Sequence, residues 1–188
     1  MQREFISQGN KISTGFKLRP LLIFEYSQES FLVIRENRVF SVETNVKNNV
    51  PGDHPNSFKV EFSENQVSSE ELNFSIEKNE RILDHLGSDV QMRINAQNGI
   101  ENYSLNVIDN DKGNIVKRLY QTLGNEVVKT NVGSFDTIKV SASSPESSEI
   151  IYFLAPELDY FVIQSYVQLK NGKRNTLKII DKPKFLEE

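Results

Sequence analysis

The sequence predicts a mainly β fold: a strongly curved antiparallel sheet or partly closed β-barrel, with one packed α-helix over about residues 84–96. Three observations predict it. Twelve Phe and six Tyr among 188 residues, with many Val and Ile, give the aromatic and β-branched bias that suits pleated, half-buried surfaces. Apolar residues alternate with polar ones over short runs separated by turn-forming residues. Only one window, Leu86, Val90 and Ile94, repeats at helical spacing.

In chain order, Phe16–Tyr26, Ser30–Ile34, Arg38–Asn45 and Phe58–Phe62 read as strands, with Glu36-Asn37 as a turn. Pro20 lacks an amide hydrogen and marks an edge or a bulge. The stretch from Asn48 to Asn56, which holds His54, is rich in turn formers and reads as the most mobile internal loop. After Asp84 the helical window packs Leu86, Val90 and Ile94 on the sheet and leaves Asp89, Gln91 and Arg93 to solvent, with Asn98-Gly99 as its stop. Gly87 near the first turn is a poor helix former there.

Tyr103–Ile108 and Ile115–Tyr120 form a hairpin around Asn110-Asp111-Lys112-Gly113. Asn125–Lys129 and Phe135–Ala142 follow as strands, with turns expected at Leu123-Gly124-Asn125 and Asn131-Val132-Gly133. Ser143–Ser148 is a polar loop before Ile150–Leu154. In Tyr160–Lys170, Phe161, Ile163, Val167 and Leu169 point one way and Gln164, Gln168 and Lys170 the other; Asn171-Gly172 then turns the chain so that Leu177 and Ile179 return along a partner strand. No internal repeat is present, and the length fits a single domain, 1–188, with a core of its own.

Composition excludes several chemistries. There is no Cys, so disulfides, thiolate nucleophiles and Cys-ligated metals are absent. Acidic residues outnumber basic ones, 26 to 22, and no Lys/Arg run offers the basic surface that nucleic acid needs. The start Met1-Gln2-Arg3-Glu4-Phe5 lacks the apolar stretch of a secretory signal, and no apolar run approaches the ~20 residues of a membrane-spanning helix. As given, the chain reads as soluble.

Motif chemistry is equally sparse. His54 and His85 are the two histidines, too few to build zinc coordination without recruiting carboxylates. No Gly-x-Ser-x-Gly elbow supports a Ser-His-Asp triad, and no Gly-rich phosphate loop is present. Asp109–Asn114 opens like a calcium loop, but its Gly comes one position early and Tyr120 stands where the bidentate Glu belongs. Glu70-Glu71, Glu187-Glu188 and Asp109 with Asp111 are acid pairs without the opposed placement that catalysis needs. Asn73-Phe74-Ser75 and Asn102-Tyr103-Ser104 fit the glycosylation acceptor pattern, both in expected strands. Neither a catalytic residue, a metal ligand nor a cofactor is assigned.

The blocks Asp84-His85-Leu86-Gly87, Gly124-Asn125-Glu126-Val127-Val128-Lys129-Thr130, Gly133-Ser134-Phe135-Asp136-Thr137-Ile138-Lys139-Val140 and Phe153-Leu154-Ala155-Pro156-Glu157-Leu158-Asp159-Tyr160 carry a family likeness. The chain resembles the bacterial family called domain of unknown function 3108, firmly over about 79–177 and more faintly over about 26–76. Tyr152-Phe153 stands where that family commonly has Trp before Leu-Ala-Pro, and Phe161-Val162-Ile163 where Leu-Pro-Val is usual. The resemblance implies an exported, periplasmic protein of Gram-negative bacteria with no established activity, and it brings no catalytic motif. Physically, the same blocks read as fold residues: Gly124 and Gly133 allow tight reversals, and Ala155-Pro156 ends a strand.

Three functional readings follow. The first is a noncatalytic envelope protein whose curved sheet binds an apolar small molecule or lipid, or an envelope protein, using aromatic residues such as Phe24, Tyr26, Phe31, Phe40, Phe58, Phe62, Phe74, Tyr152, Phe153, Phe161 and Tyr166 for core or cavity. The alternative is a hydrolase using unidentified carboxylates, with a purely structural interaction domain as a third reading.

Overall fold

The structure is a computed structural model that describes residues 2–21, 24–49, 57–109, 113–145, 147–168 and 173–183. His54 and most of its loop, the turn residues Asn110-Asp111-Lys112 and Asn171-Gly172, Leu169, Lys170 and Glu187-Glu188 lie outside these. The described chain is mainly β, with two seven-stranded sheets and one α-helix among the described residues.

The first sheet is a meander in which every strand pairs with its sequence neighbour: β1 (Gln2–Gln8), β2 (Lys11–Leu21), β3 (Phe24–Arg35), β4 (Arg38–Asn48), β5 (Ser57–Phe62), β6 (Gln66–Ser69) and β7 (Phe74–Glu77). The second runs from β8 (Ile82–Leu83) through β9 (Asn102–Asp109), β10 (Asn114–Thr130), β11 (Gly133–Ser144), β12 (Ser147–Ala155) and β13 (Phe161–Gln168) to β14 (Arg174–Lys178). The helix α1 (His85–Gln97) connects β8 to β9, and those two strands pair in parallel. That parallel pair departs from the antiparallel expectation: a crossover helix returns the chain in the same direction, which a short turn cannot do.

Other expectations needed revision. Phe16–Tyr26 is not one strand; it holds the end of β2 and the start of β3, whose last pair is Leu21 with Phe24. The register shifts between Leu18 and Leu21, so Pro20 sits in a bulge, where no ladder amide is required. The turn expected at Leu123-Gly124-Asn125 is instead a bulge inside the 17-residue β10, with Leu123 the extra residue and Gly124 at φ 109°. The polar stretch Ser143–Ser148 is shorter as a loop, because Ser144 pairs directly with Ser147. The Asn131-Val132 reversal is where it was expected, between paired Thr130 and Gly133.

The backbone groups into two compact units, Met1–Gln91 with Leu105–Val116, and Met92–Ser104 with Lys117–Glu188. In the first, Val46, Phe58, Val60, Phe62, Val67, Ile82 and Ile108 form a buried cluster flanked by Tyr26, Leu72, Phe74 and Ile76. Alternation on β5 explains it: Phe58, Val60 and Phe62 face in while Lys59 and Glu61 face out. Each such side chain contributes about 1.5–3 kcal/mol on burial. In the second unit Val128, Phe135, Ile151, Phe153, Ala155 and Ile163 cluster with Val132, Leu158, Tyr166 and Ile179. The 3-10 turn Pro156–Leu158 precedes Asp159 and Tyr160, both at positive φ, and the Arg93 guanidinium holds that turn through the Asp159 carbonyl at 2.9 Å and carboxylate at 3.1 Å.

The helix is buried on more sides than its apolar spacing implies. Leu86 and Val90 are buried as expected, but so are Met92, Asn95 and Gln91. Gln91 was expected in solvent; instead its amide oxygen accepts from the Val39 backbone amide (2.9 Å) and its nitrogen donates to the Asn37 carbonyl (3.0 Å). These bonds fasten the β3–β4 hairpin to the helix.

Candidate functional site

Two polar features of the first unit merit chemical scrutiny, one on each face of its sheet. The inner one centres on Asp84, which is fully buried. As the residue before α1, it caps the helix: its Oδ1 accepts from the backbone amides of Leu86 (2.8 Å) and Gly87 (3.0 Å), the pattern that satisfies otherwise orphaned helix donors. The hydroxyls of Ser30 and Ser41 donate to Oδ1 and Oδ2 at 2.8 and 2.5 Å, and the Asp84 amide donates back to Ser41 Oγ at 3.0 Å. Thr44 Oγ1 lies 2.8 Å from Ser30 Oγ and accepts from Gln28 Nε2 at 3.2 Å. Close approach of helix and sheet is possible because Gly87 has no side chain: a Cβ there would stand 2.7 Å from Ser41 Oγ and 3.3 Å from Leu32.

This cluster has the composition of a reactive site and the geometry of a joint. Asp84 is 0% exposed, and Ser30, Ser41 and Thr44 around it are buried as well. A group that abstracts or delivers a substrate proton must come within reach of it.

The outer feature is an open groove of about 420 Å³ along β1–β4, lined by Glu4, Phe16, Lys17, Glu29, Asn45 and Lys47 around Gly15. Register explains its shape. Glu4, Gly15, Glu29 and Asn45 form one cross-strand row, and Lys17, Ser27 and Lys47 form the next. Gly15 and Ser27 are the small residues of the two rows, so the surface dips between them. Gly15 is also demanded by packing, since a Cβ there would lie 2.9 Å from the Gln28 carbonyl oxygen. The charges are partly engaged: Lys17 Nζ is 2.7 Å from Glu25, and Ser13 Oγ donates to Glu29 at 3.2 Å. Lining of this kind, acids in one row and lysines in the next, suits a polar segment carrying both signs of charge.

The residues singled out by sequence are dispersed. His85 opens the helix, half-buried, and no group of three or more metal-binding side chains exists among the described residues. Glu70 and Glu71 lie in the turn before β7. Glu71 is held below the usual carboxylate range, chiefly by its own backbone amide and then by the Lys59 amide and Ser69 hydroxyl; a general acid at neutral pH needs the opposite shift. Asn73 has φ 51° and sits exposed in that turn rather than in a strand, whereas Asn102 does begin β9. No helix among the described residues is long and apolar enough to cross a membrane.

No family model and no curated protein matches the chain. Among solved structures it is similar to the crystal structure of a β-barrel-like protein of domain of unknown function DUF1849 from Brucella abortus, with a TM-score of 0.62 and 9% identity, covering 94% of this chain and 84% of that one. At that identity the likeness is one of fold.

Proposed function

We propose that the protein is a noncatalytic component of the bacterial cell envelope, periplasmic, that docks a polar segment of an envelope partner in the groove on the outer face of β1–β4. The observation that carries this reading is the groove itself, set around Gly15 with its adjoining acidic and basic rows. The inner face of the same sheet supports it from the other side: Phe58, Val60, Phe62 and Val67 are consumed in the core, and Asp84, the most buried acid of the unit, is consumed in a cap. The envelope setting draws its support from the resemblance of residues 79–177 to an exported family.

The reading is tested by placing a photo-activatable cross-linking residue at Ser27 or Asn45, with Gln121 on β10 as control, in protein expressed in a Gram-negative envelope. A discrete adduct with one protein from both groove positions and not from Gln121 is expected. Adducts from Gln121 alone, or none from the groove, would point to a structural or enzymatic role instead.

A further inference from the structure

Farther along the same outer face, cations gather without anions to match them. Lys11 is paired across strands with Val33, Val33 with Phe40, and Arg35 with Arg38; because the pairs are in register, all five side chains leave the sheet on one side. Arg81, just before β8, reaches the same place. Its guanidinium lies 6.0 Å from the Phe40 ring centroid and that of Arg35 lies 5.8 Å from it, both within cation–π range.

Arg81 is positioned rather than free: Nη1 donates to Gln91 Oε1 at 2.7 Å and to the Val39 carbonyl at 3.2 Å. Burial, and then the positive field of Arg38, lower its basicity. Like charges are thus held together at a cost, in a chain whose net charge is -4.

The nearby acids do not relieve it. Asp89 is engaged by Arg3 at 3.0 Å and Glu80 by Asn106 at 2.6 Å. Glu36, in the turn between Arg35 and Arg38, makes no ion pair with any of the four cations. Fastening the hairpin requires Arg81 and Gln91 only. It does not account for Arg35, Arg38 and Lys11 on the same face at the same end of the sheet.

We propose that Lys11, Arg35, Arg38 and Arg81, arrayed around Phe40 at the closed end of the β3–β4 hairpin, bind a phosphate-type oxyanion. Guanidinium forks match the tetrahedral oxyanion with paired donors, and an anion here relieves the mutual repulsion of its own ligands. The same chemistry is offered by inorganic phosphate, by a soluble phosphoester and by the phosphate of a lipid headgroup. This site is separate from the groove and does not depend on it.

The test is a titration of the full ¹⁵N-labelled chain with inorganic phosphate, and in parallel with vesicles of phosphatidylglycerol against vesicles of phosphatidylcholine alone. Saturable amide shifts confined to Arg35–Phe40, Lys11 and Arg81 are expected. The Arg35→Gln/Arg38→Gln variant changes only exposed side chains and keeps the fold; it is expected to weaken phosphate at least tenfold. Arginine-dependent sedimentation with phosphatidylglycerol vesicles assigns the lipid headgroup as the source, and phosphate saturation without sedimentation assigns a soluble phosphate. Absence of both responses, or responses unchanged in the double variant, would overturn the proposal.

Discussion

At the scale of single residues, Asp84 carries the most structural consequence. It starts the helix and ties it to two strands, since its oxygens receive two backbone amides and two serine hydroxyls. Asp84→Ala removes a helix cap, about 0.5–2 kcal/mol, and takes the carboxylate acceptor from the Ser30 and Ser41 hydroxyls, about 1.5 kcal/mol each, although Ser30 keeps Thr44 and Ser41 keeps the residue 84 amide as partners. A total loss of about 3–5 kcal/mol is expected by urea unfolding. Asp84→Asn keeps an acceptor for the two helix amides and is expected to cost less. An Ala variant within 1 kcal/mol of the parent would show that these bonds are not the joint described here.

Sequence made half of this residue visible. The helical pattern is expected over about 84–96 with Asp84 inside it; the structure starts the helix at His85 and makes Asp84 its cap. Its serine partners could not be found from that pattern, because they lie 54 and 43 residues upstream and their inward placement follows from strand register. Gly87 looked like a weak helix former for the same reason. Its value lies in the space it leaves for Ser41 and Leu32, a tertiary constraint that overrides propensity.

At the scale of elements, the strands with clean alternation and the helix were legible; a reversal inside Phe16–Tyr26 and the parallel β8–β9 pair were not, and at Gly124 one residue was read as a turn. Gly124 suggested a reversal, but a glycine at positive φ also serves a bulge, and the flanking Tyr120–Thr122 and Asn125–Val128 keep pairing with one partner strand on both sides of it. Distinguishing the two requires knowing that β11 is long enough to span both. The Glu36-Asn37 turn was readable, and both residues are at positive φ, 50° and 60°, a conformation that a non-glycine residue holds at a cost. Replacing the pair by Asn-Gly is expected to stabilise the protein by about 0.5–1 kcal/mol. The bond from Gln91 goes to the Asn37 backbone and survives the change. A higher denaturation midpoint at unchanged slope is the expected readout; a lower one would mean that the Glu36 side chain contributes something the geometry does not reveal.

At the scale of the whole molecule, fold class was legible and the groove was not. A groove of this kind is a property of cross-strand rows, and a row draws residues from strands as far apart in sequence as Glu4 and Asn45. Abundant aromatics are expected in a core first and an apolar cavity second; the structure places Phe58, Phe62, Phe135 and Phe153 in packed clusters, where they stabilise the fold. On the proposed reading, binding falls to the outer face of the first sheet and apolar burial to the inner one. The most direct test is a fluorescence titration of the full chain with the uncharged apolar dye N-phenyl-1-naphthylamine. No saturable binding is predicted; saturable, stoichiometric uptake of the dye would contradict this division and restore an apolar-ligand carrier.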